Sequence, residues 1–286
     1  MYKRQTYDAF VIAFLMLGIA LFVTEYLSEE KIKTKRTMLS IFAMIVGCFS
    51  KAVYIPFLAL YWLMPKDKFY SRRQKNLFKA GIFVLLILMF ASFILPLIGN
   101  VTSGAEVGDY RGGDTSQTSQ LSMILGYPLT YTGVLLKSLG TTFASYFIGS
   151  KVLANFAYRG IYDGIGYFVV LLTMLFTFVT DFGMTEKTYD AQMKRKILMM
   201  KIWNAVLIFG TACLVWTALY LDFTPVGSMV INGVSPRYYL PLIFPLSLIF
   251  INQKVRCSMK LENYQSLIAF LMLIGTGISI YCLMLA

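Results

Sequence analysis

Asp8-Ala9-Phe10-Val11-Ile12-Ala13-Phe14-Leu15-Met16-Leu17-Gly18-Ile19-Ala20-Leu21-Phe22-Val23-Thr24-Glu25-Tyr26-Leu27 is close to the roughly 20 residues that carry an α-helix across a bilayer. Comparable runs recur at Ala80 to Ile98, Tyr167 to Phe182, Ile202 to Leu221, Tyr239 to Asn252 and Ser266 to Ala286. Met38 to Ser50 and Val53 to Met64 are shorter, with Lys51-Ala52 between them. Joined, they would be too long for one span and would hold a charge at its middle. They therefore read as a helical hairpin whose tip carries Lys51. In hydrocarbon every backbone N–H and C=O must be satisfied within the segment, so runs of this kind mean helices. The expected fold is all-α: a polytopic transmembrane bundle of about eight membrane segments, forming one unit over 1–286.

Composition agrees. Of 286 residues, 58% are hydrophobic and 14% charged, against about 25% charged in an ordinary soluble domain. With no histidine in the chain, the sequence offers no Ser-His-Asp triad and no His-based zinc site. Cys48, Cys213, Cys257 and Cys282 have neither metal spacing nor the pattern of a disulfide framework. No cofactor is implied. A divalent cation is compatible with the acidic residues, but nothing indicates one.

A net charge of +12 raises the question of nucleic acid, but its distribution answers it. Connectors 28–37, 65–79, 183–201 and 253–265 hold 18 of the 26 Lys and Arg residues. Basic connectors orient a membrane protein, with the positive loops cytoplasmic. Segments 99–166 and 222–238 are then expected to face outside, or the periplasm. Within the first, Gly133 to Gly149 is apolar but carries Lys137. Were it to span, the Lys194-Arg195-Lys196 connector would face outward, so an interfacial or re-entrant helix is expected. The chain stops inside the apolar run Gly275 to Ala286 without a polar tail, as a fragment of a longer protein would.

Three polar constellations interrupt the apolar pattern. In Gly108-Asp109-Tyr110-Arg111-Gly112-Gly113-Asp114-Thr115-Ser116, the glycines permit a tight turn or a close ligand approach. Asp109, Arg111 and Asp114 could hold a phosphate through the guanidinium, with a carboxylate as base or ion ligand. The plainer alternative has Arg111 paired with Asp109, and Asp114 with Gln117 capping a helix ahead of Leu121, Ile124 and Leu125. The second constellation is Asn232 to Pro241, where Arg237 and Tyr238 suit either a lipid-linked phosphate sugar or an aromatic-belt anchor with a snorkelling arginine. The third is Lys51 with Tyr54 and Pro56. Its lysine must reach an interface or a polar cavity, because a buried charge is costly.

Three stretches carry a resemblance: Ser50-Lys51-Ala52-Val53-Tyr54-Ile55-Pro56, Asp109 to Ser116, and Gly233-Val234-Ser235-Pro236-Arg237-Tyr238-Tyr239-Leu240-Pro241. From about Met38 to Pro245 the chain resembles the bacterial polytopic membrane proteins of domain of unknown function family 2142. Ser235-Pro236 stands where that family has Gln-Gly. The family in turn is similar to the C superfamily of membrane glycosyltransferases, which use a polyprenyl-phosphate sugar at the outer face with an acidic base in the first external loop. The resemblance implies Lys51, Tyr54, Asp109, Arg111, Asp114, Arg237 and Tyr238 as donor- or acceptor-site residues. It leaves the catalytic acid unassigned, with Asp8 only at a helix edge and the base expected upstream. Arg111 and Arg237 are expected in one compartment, close enough to grip the same headgroup. Two functions follow as expectations: transfer of a sugar from a lipid-phosphate carrier in envelope glycan assembly, or a non-enzymatic transporter, flippase or assembly component for such polysaccharide.

Overall fold

The computed structural model describes residues 6–103, 113–148, 150–153, 164–180, 190–250, 255 and 258–285. Among them there is no strand. The elements are α1 (Thr6–Leu27), α2 (Thr34–Phe49), a 3₁₀ helix (Ala52–Leu63), α3 (Arg72–Ser103), α4 (Gln117–Gly126) and α5 (Pro128–Ile148). There follow α6 (Ser150–Leu153), α7 (Ile165–Thr180), α8 (Ala191–Phe223), a second 3₁₀ helix (Pro236–Leu242), α9 (Ile243–Ile249) and α10 (Leu261–Leu285). Among the described residues four helices, over Asp8–Leu27, Arg72–Pro96, Ala191–Phe223 and Leu261–Met284, are long and apolar enough to cross a membrane. Within the described residues, each of the eight apolar segments expected from the sequence is helical. The chain is a helical membrane protein.

Two boundaries differ from expectation. α3 starts at Arg72 and α8 at Ala191, well inside segments read as connectors. Lysine, arginine and glutamine are good helix formers, so nothing stops these helices where the apolar run stops.

The chain divides into two compact units. The first comprises Met1–Leu139 and Arg195–Val234; the second comprises Gly140–Lys194 and Ser235–Ala286. In the first unit α1 and α2 lie antiparallel. In lipid the tails are as apolar as leucine, so helix association relies on close packing of small residues and on hydrogen bonds. Gly18 faces Met44 so tightly that a Cβ there would stand 2.6 Å from Met44 Cγ and 3.0 Å from Ser40 O. Gly47 meets Leu15 in the same way, at 3.0 Å from its backbone nitrogen. Ser40 Oγ donates to the Gly18 carbonyl at 2.6 Å, locking the approach.

The segment after Lys51 returns alongside α2 as a 3₁₀ helix containing Pro56. At about 2.0 Å per residue its 12 residues span about 24 Å, the same depth that the 16 residues of α2 cover at about 1.5 Å each. The tighter, longer coil lets a short apolar run match its partner. Runs of this length are unusual for a 3₁₀ helix.

Three basic connectors meet at one end of this unit. Lys68 is buried, and its ammonium donates to Ser28 O (2.5 Å), Ser28 Oγ (2.6 Å) and Glu30 O (3.0 Å). Lys31 Nζ donates to the Asp67 and Phe69 carbonyls at 2.8 and 3.2 Å. Lys196, at the start of α8, reaches Asp67 Oδ2 at 3.0 Å, and Tyr26 Oη donates to the Lys196 carbonyl at 3.0 Å. Glu25, also buried, accepts from the Lys33 backbone N–H at 2.9 Å and stands 3.5 Å from Arg36. Connectors 28–37 and 65–79 and the head of α8 thus form one clamp, the basic end of the unit. Burial pushes the Lys68 ammonium below its ordinary value, with Glu25 pulling the other way.

Burial acts to raise the Asp67 carboxyl, but the hydrogen bond and charge of Lys196, with Lys68, hold it below its ordinary value of 3.8. A carboxyl depressed in the folded state contributes stability above its unfolded value and loses it as pH falls through the folded one. We therefore expect the clamp to weaken below about pH 4, and Asp67→Asn to flatten that acid limb by about 0.5 kcal/mol, since the pair is partly exposed. Thermal melts between pH 3 and 7 read this directly.

In the second unit α7 and α10 pack through Gly166, Gly275 and Ser279. Thr180 Oγ1 and Tyr264 Oη share a hydrogen bond of 2.8 Å at the other end of the pair.

Candidate functional site

At the end of α1 opposite the clamp, Asp8 forms an ion pair with Lys51. The register explains it. Gly18 lies against Met44 and Leu15 against Gly47, so each step toward the start of α1 meets a later residue of α2. The walk ends with Asp8 beside the α2–3₁₀ junction. Lys51 occupies that junction in an extended conformation, φ −148°, after which the 3₁₀ helix begins. Both side chains are largely enclosed, Lys51 at 11% exposure and Asp8 at 15%. Three residues on, one 3₁₀ turn away, Tyr54 is fully buried below the pair. Asp8 and Glu25 lie about 26 Å apart along α1, so the ion pair and the clamp mark opposite ends of the unit.

α8 starts in the clamp, so its last turn and the loop after it also lie at the end far from the clamp. There the loop is sewn to α4. Gln120 is fully buried. Its amide nitrogen lies within 3.1–3.3 Å of the carbonyls of Tyr220, Thr224 and Pro225, and its oxygen accepts from Gly227 N at 3.2 Å. Gln117 Nε2 donates to Asp222 Oδ1 at 2.5 Å, and Val226 N donates to the Asp114 carbonyl at 3.2 Å. Tyr131 Oη, from α5, donates to Thr217 Oγ1 at 2.6 Å.

Gly113 has φ +93°, the tight turn expected there, and Thr115 N closes on its carbonyl at 2.9 Å. The helix cap is Ser116 rather than Asp114: its hydroxyl accepts from Ser119 N at 3.4 Å. A hydroxyl immediately before the first turn reaches that N–H more directly than a carboxylate two residues earlier. Asp114 itself is exposed. Truncating Gln120 to alanine would strand three carbonyls and one N–H, costing about 2 kcal/mol. We expect earlier proteolytic cleavage in 222–234 for that variant, with the clamp unaffected.

Gly233 is explained by space. Its φ is +79°, and a Cβ there would stand 2.2 Å from the Phe223 ring. The division between units falls directly after Val234. Arg237 and Tyr238 lie in the 3₁₀ helix of the second unit, with the guanidinium 5.7 Å from the Tyr238 ring centroid and Tyr239 buried beside them. That helix packs against α6 and α9.

Of the residues singled out in the sequence, Lys51 and Tyr54 therefore share one site, and Asp114 lies at the same end of the first unit. Arg237 and Tyr238 belong to the second unit. Asp109 and Arg111 lie outside the described residues, and with them the expected grip of Arg111 and Arg237 on one headgroup. Among the described residues no three His, Cys, Asp or Glu side chains converge as metal ligands would.

A family described as "Predicted membrane protein (DUF2142)" matches residues 5–246. The chain belongs to that family. The match takes in α1, and so Asp8, as well as the hairpin, α4 and the Arg237 helix; α10 lies beyond it. No curated protein and no solved structure matches the chain. Membership of the DUF2142 family shows a membrane protein and assigns no chemistry.

Sequence reasoning passed over Asp8 as a partner for Lys51. The signal was present, because α1 and α2 have small residues at facing positions, and an antiparallel pairing through Gly18 and Gly47 brings the two charges together.

Proposed function

We propose that this DUF2142 protein is a glycosyltransferase-like protein of the bacterial cytoplasmic membrane, using a polyprenyl-phosphate-linked sugar in envelope glycan assembly. The observation that carries this reading is the enclosed Asp8–Lys51 pair above Tyr54, at the end opposite the basic clamp. An acid and a cation held together in low dielectric are the two groups that transfer from a phosphate leaving group needs. Asp8 takes the proton from the acceptor hydroxyl, whose oxygen bonds to the anomeric carbon. The bond from that carbon to the carrier phosphate breaks, and its electron pair leaves with the phosphate, which Lys51 holds. By the positive-inside rule the clamp is cytoplasmic and this end extracytoplasmic. Asp114, in the first unit, is a further candidate for acceptor contacts; Arg237 with Tyr238, in the second unit, is a separate candidate for holding a lipid phosphate.

The test is release of carrier phosphate by the purified protein given a polyprenyl-phosphate sugar and a glycan acceptor. Asp8→Asn should lower turnover by about 10²–10⁴-fold while leaving carrier binding intact. Turnover unchanged in Asp8→Asn, or a wild-type protein that binds no carrier, would contradict the reading.

One observation favours a transporter instead. Asn204 and Thr211, two turns apart on the buried face of α8, are fully enclosed. Among the described residues neither the Asn204 amide nor the Thr211 hydroxyl has a hydrogen-bond partner. Polar groups deep in the membrane beside an irregular, proline-containing helix are what a translocation path uses. Flux in proteoliposomes that Asn204→Leu abolishes, with Asp8→Asn unaffected, would decide for it.

A further inference from the structure

Between Trp62, at the end of the first 3₁₀ helix, and one face of α3 runs a groove of about 480 Å³, lined by Trp62, Phe83, Leu86, Ile87, Phe90, Ala91, Ile94 and Leu95. Its α3 residues recur three and four apart, so the groove follows the helix axis. From Phe83 to Leu95 it covers about 18 Å, close to the roughly 15 Å depth of one leaflet's hydrocarbon. Phe83, Ile87, Ile94 and Leu95 are each about half exposed or more, so the groove opens sideways along the helix.

Its charged end decides the occupant. Lys79 stands one turn before Phe83 on the same face of α3, and Lys75 one turn before Lys79. Lys79 Nζ donates to the Trp62 carbonyl at 2.9 Å, which fixes the ammonium at the mouth of the groove. Lys75 and Lys66 are close enough to act on it electrostatically. Among the described residues no carboxylate pairs with Lys75 or Lys79. A two-lysine step at the membrane surface directly above a leaflet-deep apolar slot is complementary to one kind of molecule, an amphiphile with an anionic head.

We propose that this groove binds an anionic phospholipid from the leaflet at the basic end, its phosphate on Lys75 and Lys79 and one acyl chain along Phe83 to Leu95. This is a lipid site separate from the Asp8–Lys51 pair and independent of the function proposed above.

With Trp203 and Trp216 replaced by phenylalanine, Trp62 supplies the probe. The full chain is reconstituted with phosphatidylglycerol or phosphatidylcholine brominated on the acyl chains, and tryptophan quenching is followed against the fraction of brominated lipid. Brominated phosphatidylglycerol should quench at a roughly tenfold lower fraction. Lys75→Gln/Lys79→Gln should erase that preference and leave phosphatidylcholine quenching as it was, whereas Lys75→Arg/Lys79→Arg should keep it. Lys35→Gln/Lys260→Gln removes two exposed charges elsewhere and should change nothing. Equal quenching by the two lipids in the wild type would overturn the proposal. So would an equal loss in the Lys35/Lys260 control, which would mean long-range attraction, or a groove shielded from both lipids by a second copy of the chain.

Discussion

Replacing Gly166 by leucine is expected to drive α7 and α10 apart and to cost about 3 kcal/mol. A Cβ at Gly166 would stand 2.5 Å from the Gly275 carbonyl, 2.5 Å from Ser279 Oγ and 2.8 Å from the Ser279 backbone nitrogen. Two of those three atoms are backbone, so no rotamer change relieves the clash and the helix as a whole must move. Ser279 Oγ also gives its hydrogen bond to the Gly275 carbonyl at 2.8 Å, and that bond lies on the surface being forced apart. Gly277→Leu is the matched control. It lies on the partner helix α10, two residues from Gly275, is exposed, and has nothing within 4 Å of its Cβ direction. Thermal unfolding in detergent should show a large drop for the first variant and almost none for the second. Equal drops would mean that leucine in place of glycine destabilises either helix by itself, and not through loss of this contact.

The ion pair gives the second large effect. Asp8→Ala leaves the Lys51 ammonium enclosed without the carboxylate that balances it. Breaking a buried pair from one side costs about 3 kcal/mol, whereas replacing both partners by apolar groups of similar size is often neutral. Asp8→Leu/Lys51→Met should therefore recover most of the stability that Asp8→Ala loses, and should remain inactive in sugar transfer. That pattern separates a structural role from a chemical one. A double variant that is both stable and active would remove the pair from the mechanism while leaving the fold account intact.

Much of the first unit was legible in the sequence because lipid imposes few choices. Apolar length fixed the helices of α1, α3 and α8, as it did α10 in the second unit, and the charge of Lys51 between two short runs fixed the hairpin. The distribution of Lys and Arg foretold that connectors 28–37 and 65–79 would share an end. What hid was tertiary. Gln120 sits in an ordinary polar helix, and only the arrival of the 224–227 backbone makes it a hub. Lys68 reads as one more connector lysine until the Ser28 and Glu30 carbonyls close around it. The coil of Ala52–Leu63 escaped for a different reason. Its composition suits an α-helix or a 3₁₀ helix equally, and its choice follows from the depth it must match beside α2.

The candidate site was half legible. Lys51 and Tyr54 stood out because a charge and a hydroxyl interrupt an apolar pattern. Asp8 did not, since an acid in a first helical turn is ordinary and stabilising there. Gly233 stood out in a motif that looked ligand-binding, and the Phe223 ring lying against it gives a packing reason for that glycine.

Sugar transfer at the Asp8–Lys51 pair requires that this end face the outer side of the membrane. In a background with the native cysteines replaced, Ser50→Cys and Lys35→Cys place one exposed thiol beside each end of the first unit. A membrane-impermeant maleimide added to intact bacterial cells, with the outer membrane permeabilised where there is one, should label Ser50→Cys and reach Lys35→Cys only after the cells are broken. Labelling of Lys35→Cys in intact cells with Ser50→Cys protected would put the ion pair in the cytoplasm and contradict the proposed chemistry at its root.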